Sequence, residues 1–474
     1  MLAAWAATNA AESSPRRVFR AGAATSNITP PLGTSLAGSF WDAKATHIHD
    51  EQLVRCLALD DGMTKLVFAM VDACLIERGV FDDAKRQVHE ATGLPMENMT
   101  MAATHSHSCG TLTSVHQSEA DPAYQRFAAR RITDGVIRAL NNLAPARIAW
   151  GCGEVPGQVF NRRWKMKPGT PLPNPFGGFD KVQTNPGSVI NPGGGKSSGL
   201  APNPNLLEPA GPTDPQVWFI SVRAADGRPV ALLANYSLHY VGGTRAGEIS
   251  ADYFGMFADR VQELLGADRL DPPFVGILSN GASGDINNID YRKPRTIQPP
   301  YARMKAVANE VAQEVMRVEK MLTYRDWVPL GVAQKDVTLA LRLPTKAEAD
   351  KAREVVKGVK TYPRMVTVEE KYARETVTLA GFPPRVSAPL QVVKIGDLRV
   401  WAIPAEVFCE IGLELKRRHP ASFVLALANG YHGYLPTPAQ HALGGYETWR
   451  AISSCLEVDA STKIVSALEE LLGK

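Results

Sequence analysis

Runs of apolar, β-branched residues recur along the chain, and segments with helical periodicity separate them. Examples are KLVFAMVDA (65–73), VWFISVRA (217–224), PVALLANYS (229–237) and SFVLALANG (422–430). Several of these runs are apolar at nearly every position, which is typical of strands that are buried on both faces of a sheet covered by helices. The pattern predicts an α/β fold in which mixed sheets are covered by helices.

Helical periodicity is clearest in SADYFGMFADRVQELLG, residues 250–266. Ser250 is the predicted N-cap, Phe254 and Phe257 lie on the apolar face, and Gly266 ends the helix. Similar patterns cover residues 124–143, 301–321 and 345–357.

The composition changes between residues 165 and 213, where Gly, Pro and Asn dominate. Such a segment forms neither a regular helix nor a central strand. We interpret it as an irregular excursion that walls or covers a pocket, within a single domain that comprises residues 21–474. A linker between two domains is the alternative interpretation.

Residues 1–20 are predicted to be an N-terminal tail. The start MLAAWAATNAAESSP is rich in Ala but lacks the basic region and the long apolar region of a complete signal peptide. A trimmed export signal is one interpretation of this tail. A periplasmic or secreted location is therefore favoured over a cytoplasmic one.

Composition and charge exclude several classes of protein. The chain has 52 basic and 48 acidic residues in 474, and no block of like charges, so nucleic acid binding is not indicated. No stretch approaches the ~18–20 consecutive apolar residues that span a bilayer, so no integral membrane segment is expected. The 6 cysteines form no CxxC pair, which argues against a disulfide scaffold or a thiolate zinc site.

Polar side chains follow five of the apolar runs, at the point where each run ends. They are His105 and His107, His239, Asp285, Glu406, and Tyr431 and Tyr434. Ligand sites of open α/β sheets lie at the C-terminal ends of strands, so these side chains are candidates to meet. Two or three imidazoles with a carboxylate suit Zn²⁺, and a phenol can add a further oxygen. Taken singly, each residue also has an ordinary structural interpretation.

The ATHSHS segment places His105 and His107 one residue apart. On extended backbone both rings leave the same face, so they can serve one site, although a solvated loop pair is the alternative. Asp285 is predicted to orient a metal ligand, because ligating histidines usually donate their second N–H to an oxygen. A carboxylate that caps a turn is the alternative for Asp285.

Nine motifs resemble the neutral, non-lysosomal ceramidases and their bacterial relatives, and they occur in the order of that family. They are ITPPLGTSLAG (28–38), IHDEQLVRCLALDDG (48–62), ATHSHS (103–108), FNRRW (160–164), NYSLHY (235–240), ISADYFG (249–255), GASGDINN (281–288), IPAEVF (403–408) and NGYHGYL (429–435). The resemblance runs from about residue 20 to the end of the chain. It implies a ceramidase-like catalytic fold and the activity of that family, which is zinc-dependent cleavage of the N-acyl bond of ceramide.

The resemblance also implies roles for individual residues. The Zn²⁺ ligands implied are His105, His239, Glu406 and Tyr434. Zinc-bound water is then the attacking group, and His107 is favoured to handle its proton. Arg162 and Tyr446 are implied to donate hydrogen bonds to substrate and to the oxyanion.

Substrate contacts are further predicted for Arg163 and Asn287. A solvated pair of side chains is the alternative for Arg162 and Arg163. The sequence differs from the ceramidase pattern at Asn287, because ceramidases carry GDVSPN where this chain has GDINN. Asn287 therefore replaces a serine, and an amide side chain is not a nucleophile.

The second departure is length. The chain ends 40 residues after Tyr434, so the C-terminal β-sandwich of the family is expected to be missing. Both departures favour a small-molecule or lipid-like N-acyl substrate other than ceramide itself. Two alternatives stay open: a zinc esterase, lactonase or other carbonyl- or glycoside-directed enzyme, and a binding protein that keeps the metal ligands. The sequence predicts no oligomeric state.

Overall fold

The computed structural model of the chain describes residues 17–187, 189–190, 200–296 and 298–473. Residues 1–16 of the predicted tail, and residues 188 and 191–199 of the predicted excursion, lie outside this set. Within the described residues, no helix combines the length and the apolar character needed to cross a membrane. The predicted α/β fold, with mixed sheets covered by helices, is confirmed.

Twelve strands of the described chain form two main sheets, and we number them in chain order. The first sheet contains β1 (Arg20–Asn27), β2 (Leu53–Asp60), β3 (Lys65–Val71), β4 (Met99–Ala103), β5 (Ala144–Glu154), β6 (Gln216–Ala224), β7 (Pro229–Tyr236) and β8 (Val275–Asn280). The second sheet contains β9 (Leu330–Ala340), β10 (Arg385–Ile395), β11 (Leu398–Ile403) and β12 (Ser422–Ala426). The strand orders are β8-β7-β6-β5-β1-β2-β3-β4 and β9-β10-β11-β12.

Nine α-helices of the described chain lie before, between or after these strands. They are α1 (Arg78–Thr92), α2 (Pro122–Asn141), α3 (Asp252–Leu264), α4 (Ala302–Glu319), α5 (Lys346–Lys357), α6 (Val368–Leu379), α7 (Cys409–Arg418), α8 (Pro438–Leu443) and α9 (Ala460–Leu472). The predicted N-cap of α3 is wrong by one residue, because Ala251 is the N-cap and Ser250 lies outside the helix. The Asp252 carboxylate instead accepts hydrogen bonds from the backbone N–H groups of Val241 and Gly242, which anchors the loop after β7.

The two sheets share one core, and helices cover their outer faces. Apolar side chains from both sheets, such as Phe68 of β3 and Phe423 of β12, are buried together between them. Helices α1 and α2 pack outside β1–β4, and α3 and α4 pack outside β6–β8, while α7 and α9 cover the second sheet. This arrangement explains why the apolar runs of the sequence do not alternate with polar residues.

Three parallel strand pairs position the candidate site. The pairs β3/β4, β7/β8 and β11/β12 are parallel, with α1, α3 and α7 in the respective connections, and each pair lies at a sheet edge. The edges meet in space: Ala102 of β4 bridges Ala428 just beyond β12, and Asn280 of β8 donates to the carbonyl of Thr104, 3.4 Å away. The C-terminal ends of three βαβ units therefore converge.

Candidate metal centre

Three side chains predicted to bind zinc meet where these strands end. His105 follows β4 by two residues, while His239 and Glu406 follow β7 and β11 by three. His105 Nε2 lies 2.9 Å from His239 Nε2 and 3.3 Å from Glu406 Oε2, and the distance from His239 Nε2 to Glu406 Oε2 is 3.7 Å. All three side chains are buried.

Backbone carbonyls fix the orientation of both imidazoles. Nδ1 of His105 lies 2.9 Å from the carbonyl oxygen of Cys74, and Nδ1 of His239 lies 3.1 Å from that of Ser283. A carbonyl only accepts hydrogen bonds, so each Nδ1 carries the proton and each Nε2 presents a lone pair. The two lone pairs therefore point at one another and at the Glu406 carboxylate.

This donor set fits a divalent cation. Burial, together with the neighbouring His105, holds the pKa of His239 well below its ordinary value, so an added proton is a poor bridge between the rings. Glu406 Oε2 is buried and accepts no hydrogen bond from the described residues. Zinc bonds to nitrogen and oxygen are about 2.0–2.2 Å long, so one ion can contact ligand atoms at the observed separations.

Tyr434 and Tyr431 both lie beside Glu406. Glu406–Val407 pairs in parallel with Tyr434–Leu435, which places Glu406 directly beside Tyr434. Tyr431 donates to Glu406 Oε1 over 3.0 Å, which leaves Oε2 for the centre. Burial, with Glu406 nearby, raises the pKa of the Tyr434 phenol well above its ordinary value, while Arg162 acts in the opposite direction.

His107, the second histidine of the ATHSHS segment, faces the same centre. Its Nδ1 donates to the carbonyl of Gly38 over 2.7 Å, and its Nε2 lies 3.2 Å from His105 Nε2. The ring stacks on Tyr240 with 3.6 Å between centroids. Burial and the neighbouring His105 hold the pKa of His107 well below its ordinary value. These surroundings favour the neutral ring, which has a lone pair at Nε2.

Gly38 allows the close approach that holds His107. Its φ is +110°, and a Cβ atom added at this position would lie 2.5 Å from His107 Cβ. We expect Gly38→Ala to displace the His107 ring and to lower kcat at least about 10-fold, because proton transfer, the role predicted for His107, depends on the position of the ring. Bound metal should persist, since His105, His239 and Glu406 are untouched. Steady-state kinetics and metal analysis measure the two effects.

Gly33→Ala is the matched control for this substitution. Gly33 also has a left-handed backbone, with φ of +89°, but a Cβ atom added there would meet no other heavy atom within 4 Å. Both substitutions therefore introduce backbone strain, but only Gly38→Ala introduces a clash with His107. Equal losses of kcat in the two variants contradict the role given to His107.

Arg162 lies behind Tyr434. Its guanidinium donates to Tyr434 Oη over 3.1 Å, to the carbonyl of Gly284 over 2.7 Å and to Glu447 Oε1 over 2.9 Å. Arg162 and Arg163 are both buried, so the alternative of a solvated pair is wrong. The contacts of Arg162 orient the Tyr434 hydroxyl.

Arg163 and Asn287 lie away from the cavity. Arg163 donates to Glu447, to the side-chain and backbone oxygens of Gln440 and to the carbonyl of Gly444. The Asn287 amide donates to Asn185 and Tyr291. Neither side chain lines the cavity that His105, His107 and His116 line.

Asp285 also takes a different position from the predicted one. Its carboxylate accepts from the backbone N–H of Cys409, the first residue of α7, and from the Asn161 side chain, both over 2.8 Å. Burial raises its pKa to about 6. The histidines are oriented by backbone carbonyls, and Asp285 instead joins the start of α7 to the NRR segment.

The centre opens into a cavity of about 400 Å³, part of it open to solvent. His105, His107, Glu406 and Tyr434 line one end. The remaining walls are largely apolar and aromatic and include Phe40, Leu75, Val115, Tyr431 and Tyr446. Tyr446, predicted to steady the oxyanion, therefore faces the same space as His105, Glu406 and Tyr434.

The excursion does not cover this cavity with any of its described residues. Its strands Val182–Thr184 and Leu206–Pro209 pair on either side of Arg163–Met166. Asp180 accepts a hydrogen bond from Trp449 Nε1 over 2.7 Å, and Thr184 donates to Glu447 over 2.6 Å. The excursion thus supports the Tyr446–Thr448 segment from behind.

Two solved structures share this arrangement of elements. Neutral ceramidase from Pseudomonas aeruginosa superimposes with a TM-score of 0.69 and 16% sequence identity, over 96% of this chain and 74% of the other. A ceramidase complexed with C2 gives a TM-score of 0.70 at 16% identity, over 96% and 75% of the respective chains. The chain has the ceramidase fold. No protein-family model matches it, and no curated protein does.

Several residues of the candidate site were given no role by the sequence. Tyr431 was noted only as a polar residue at a strand end, yet it fixes the Glu406 carboxylate. Glu447 is fully buried between Arg162 and Arg163, and its position next to Tyr446 was the one available signal. His116 is a lone histidine in a loop and carried no signal at all.

Proposed function

We propose that the protein is a zinc-dependent hydrolase that cleaves the amide bond of a small N-acyl compound. The observation that carries the proposal is the buried set of two imidazoles and a carboxylate, whose Nε2 and Oε2 atoms lie 2.9–3.7 Å from one another. This set stands at the end of a largely apolar cavity, on the fold of two ceramidases.

The residues divide the chemistry between them. His105, His239 and Glu406 would hold the ion, and Tyr434, oriented by Arg162, would supply a further oxygen. A bound zinc ion would supply the Lewis-acid chemistry that attack of water on a carbonyl needs. His107 accepts a proton at Nε2, and Tyr446 donates a hydrogen bond to the oxygen of the attacked carbonyl.

The cavity favours a small substrate over a lipid with two long chains. The space within it that a water-sized sphere can occupy is about 60 Å³, below the range of about 300–1,000 Å³ for small-molecule pockets. Phe40, Leu75 and Val115 offer apolar contact to an acyl group. We therefore propose a short or medium acyl chain, on an amine that is smaller than a sphingoid base.

A substrate panel tests this function. We expect the zinc-loaded protein to hydrolyse N-hexanoyl alkylamides, to lose more than about 100-fold of this activity after chelation, and to regain it when zinc is returned. Release of the amine measures turnover. Ceramide with a long acyl chain should be a poorer substrate than the hexanoyl amides.

Esters of hexanoic acid form the second arm of the panel. Hydrolysis of the esters without any of the amides contradicts the amidase proposal and favours the zinc esterase alternative. Binding of zinc and of the acyl compounds without turnover of either class favours a binding protein.

A further inference from the structure

A chain of three side chains runs from the cavity wall to helix α6. Tyr446 Oη lies 3.3 Å from His116 Nε2, and His116 Nδ1 lies 3.5 Å from Glu375 Oε1. Tyr446 and His116 both line the cavity, whereas Glu375 is buried on α6. Nothing in the proposed function above uses His116 or Glu375.

The loop that carries His116 is held in one conformation. His116 has a φ of 53°, in the left-handed region that a histidine rarely adopts. Arg374 donates to its carbonyl over 2.6 Å, and the Phe40 ring packs against the imidazole with 4.5 Å between centroids. Residues in such backbone conformations persist where surrounding contacts fix them, often at functional sites.

The Glu375 carboxyl contacts one backbone N–H and the His116 ring. Its Oε2 accepts from the backbone N–H of Ile452 over 2.9 Å, and its Oε1 faces His116 Nδ1. Among the described residues, His116 is the one ion-pair partner of this carboxylate. A buried carboxylate without a cation is unfavourable, and an imidazolium at His116 supplies the missing charge.

The presence or absence of a proton on His116 Nε2 decides where the Tyr446 proton points. A neutral imidazole that donates Nδ1–H to Glu375 has a lone pair at Nε2, which takes the Tyr446 proton away from the cavity. An imidazolium instead donates Nε2–H to Tyr446 Oη, so the phenol O–H is free to point into the cavity. Of these two arrangements, the second lets Tyr446 donate to a substrate oxygen.

We propose that His116, held as an imidazolium by Glu375, is a positioning residue that turns the Tyr446 hydroxyl towards the substrate carbonyl. The proposal deepens the hydrolase function and rests on it for its kinetic test. His116 acts through Tyr446 and makes no contact of its own with the reacting atoms.

A double-mutant cycle tests this coupling. We expect Tyr446→Phe to lower kcat on an N-hexanoyl alkylamide about 100-fold, as for loss of one oxyanion donor. His116→Gln should lower kcat at least about 10-fold with little change in KM, because the interaction is made in the transition state. In the Tyr446→Phe background, His116→Gln should change kcat less than about 2-fold.

His419→Gln is the matched control, because His419 pairs with Glu469 over 3.0 Å far from the cavity lining. It should leave kcat and KM unchanged. If His116→Gln lowers kcat equally in the native protein and in the Tyr446→Phe variant, His116 has a general structural role and the proposal is overturned. An unchanged kcat of His116→Gln in the otherwise native protein overturns it as well.

A measurement without substrate separates this inference from the hydrolase function. Nitrogen NMR of histidine-labelled protein, with the His116 signals assigned by their loss in His116→Gln, reports the protons on the ring. We expect both ring nitrogens to carry protons near neutral pH, and Glu375→Gln to remove one of them. In Glu375→Gln, the oxygen of the new amide side chain still accepts from Ile452 N–H. The amide NH₂ therefore faces His116 Nδ1 and disfavours a proton on that nitrogen. A neutral His116 in the native protein overturns the proposal, whether or not any amide is hydrolysed.

Discussion

Replacement of His239 by alanine is expected to remove both the bound zinc and the hydrolysis of amides. The substitution deletes one of the two imidazoles whose Nε2 atoms lie 2.9 Å apart, and it leaves His105 and Glu406 as an incomplete set. Loss of a residue that only hydrogen-bonds to a metal ligand typically weakens metal binding 10–100-fold. For loss of a ligand itself we therefore expect more than about 100-fold weaker zinc binding. Elemental analysis and titration with zinc measure the affinity, and amine release measures turnover.

Cys74→Ser distinguishes this centre from a second candidate in the same cavity. Ligand atoms of Cys74, His105 and His107 also lie close enough together to hold an ion. We expect Cys74→Ser to keep its zinc, because the Cys74 carbonyl that orients His105 belongs to the backbone. Retention of zinc by His239→Ala with loss by Cys74→Ser places the ion in the second group and contradicts the site described above.

The main strands of the fold follow directly from the sequence. The runs that contain β3, β7 and β12 are apolar because each strand is buried between the shared core and a layer of helices. Helices α4 and α5 likewise fall within the segments that the periodicity predicts. Elements whose apolar pattern is set by such layers can be predicted without a structure.

The meeting of the three βαβ units could not be derived from the sequence. His105 and His239 follow strands near opposite ends of an eight-strand order, and Glu406 follows a strand of the other sheet. Their contact depends on how the sheet edges come together at Ala102 and Ala428, which no local pattern encodes. The order of family motifs was therefore the stronger signal for these three residues.

The groups that orient the site were also hidden from the sequence. Asp285 was the predicted partner of a ligating histidine, because carboxylates are frequent in that role. The observed acceptors are the carbonyls of Cys74, Ser283 and Gly38, which any residue type provides. Side-chain identity therefore carries no information about them.

Glu447→Ala is expected to have the largest effect on stability. Glu447 is fully buried, and its two oxygens accept hydrogen bonds from Arg162 over 2.9 Å and from Arg163 over 2.7 Å. Removing the carboxylate leaves two buried guanidinium groups without their common partner, which typically costs about 3–5 kcal/mol. Urea unfolding of the two proteins measures the difference, and Tyr434 should lose its orientation together with Arg162.

An exposed ion pair provides the control for this loss. Glu354 pairs with Lys357 on the surface of α5, and both side chains are largely exposed. Glu354→Ala should change the free energy of unfolding by less than about 1 kcal/mol. Equal stabilities of Glu447→Ala and the native protein contradict the structural role of the buried carboxylate.

The acid sensitivity of the fold should also depend on Glu447. Burial opposes its ionisation, but the charges of Arg163 and Arg162 outweigh burial and hold its pKa below the ordinary value. Because the folded pKa lies below the unfolded one, about 4.3, the carboxylate contributes its full stabilisation above that value. The contribution is lost as the pH falls from there through the folded pKa. Urea unfolding at a series of pH values should therefore show a steeper loss below about pH 4.5 for the native protein than for Glu447→Gln, and parallel curves contradict the assignment.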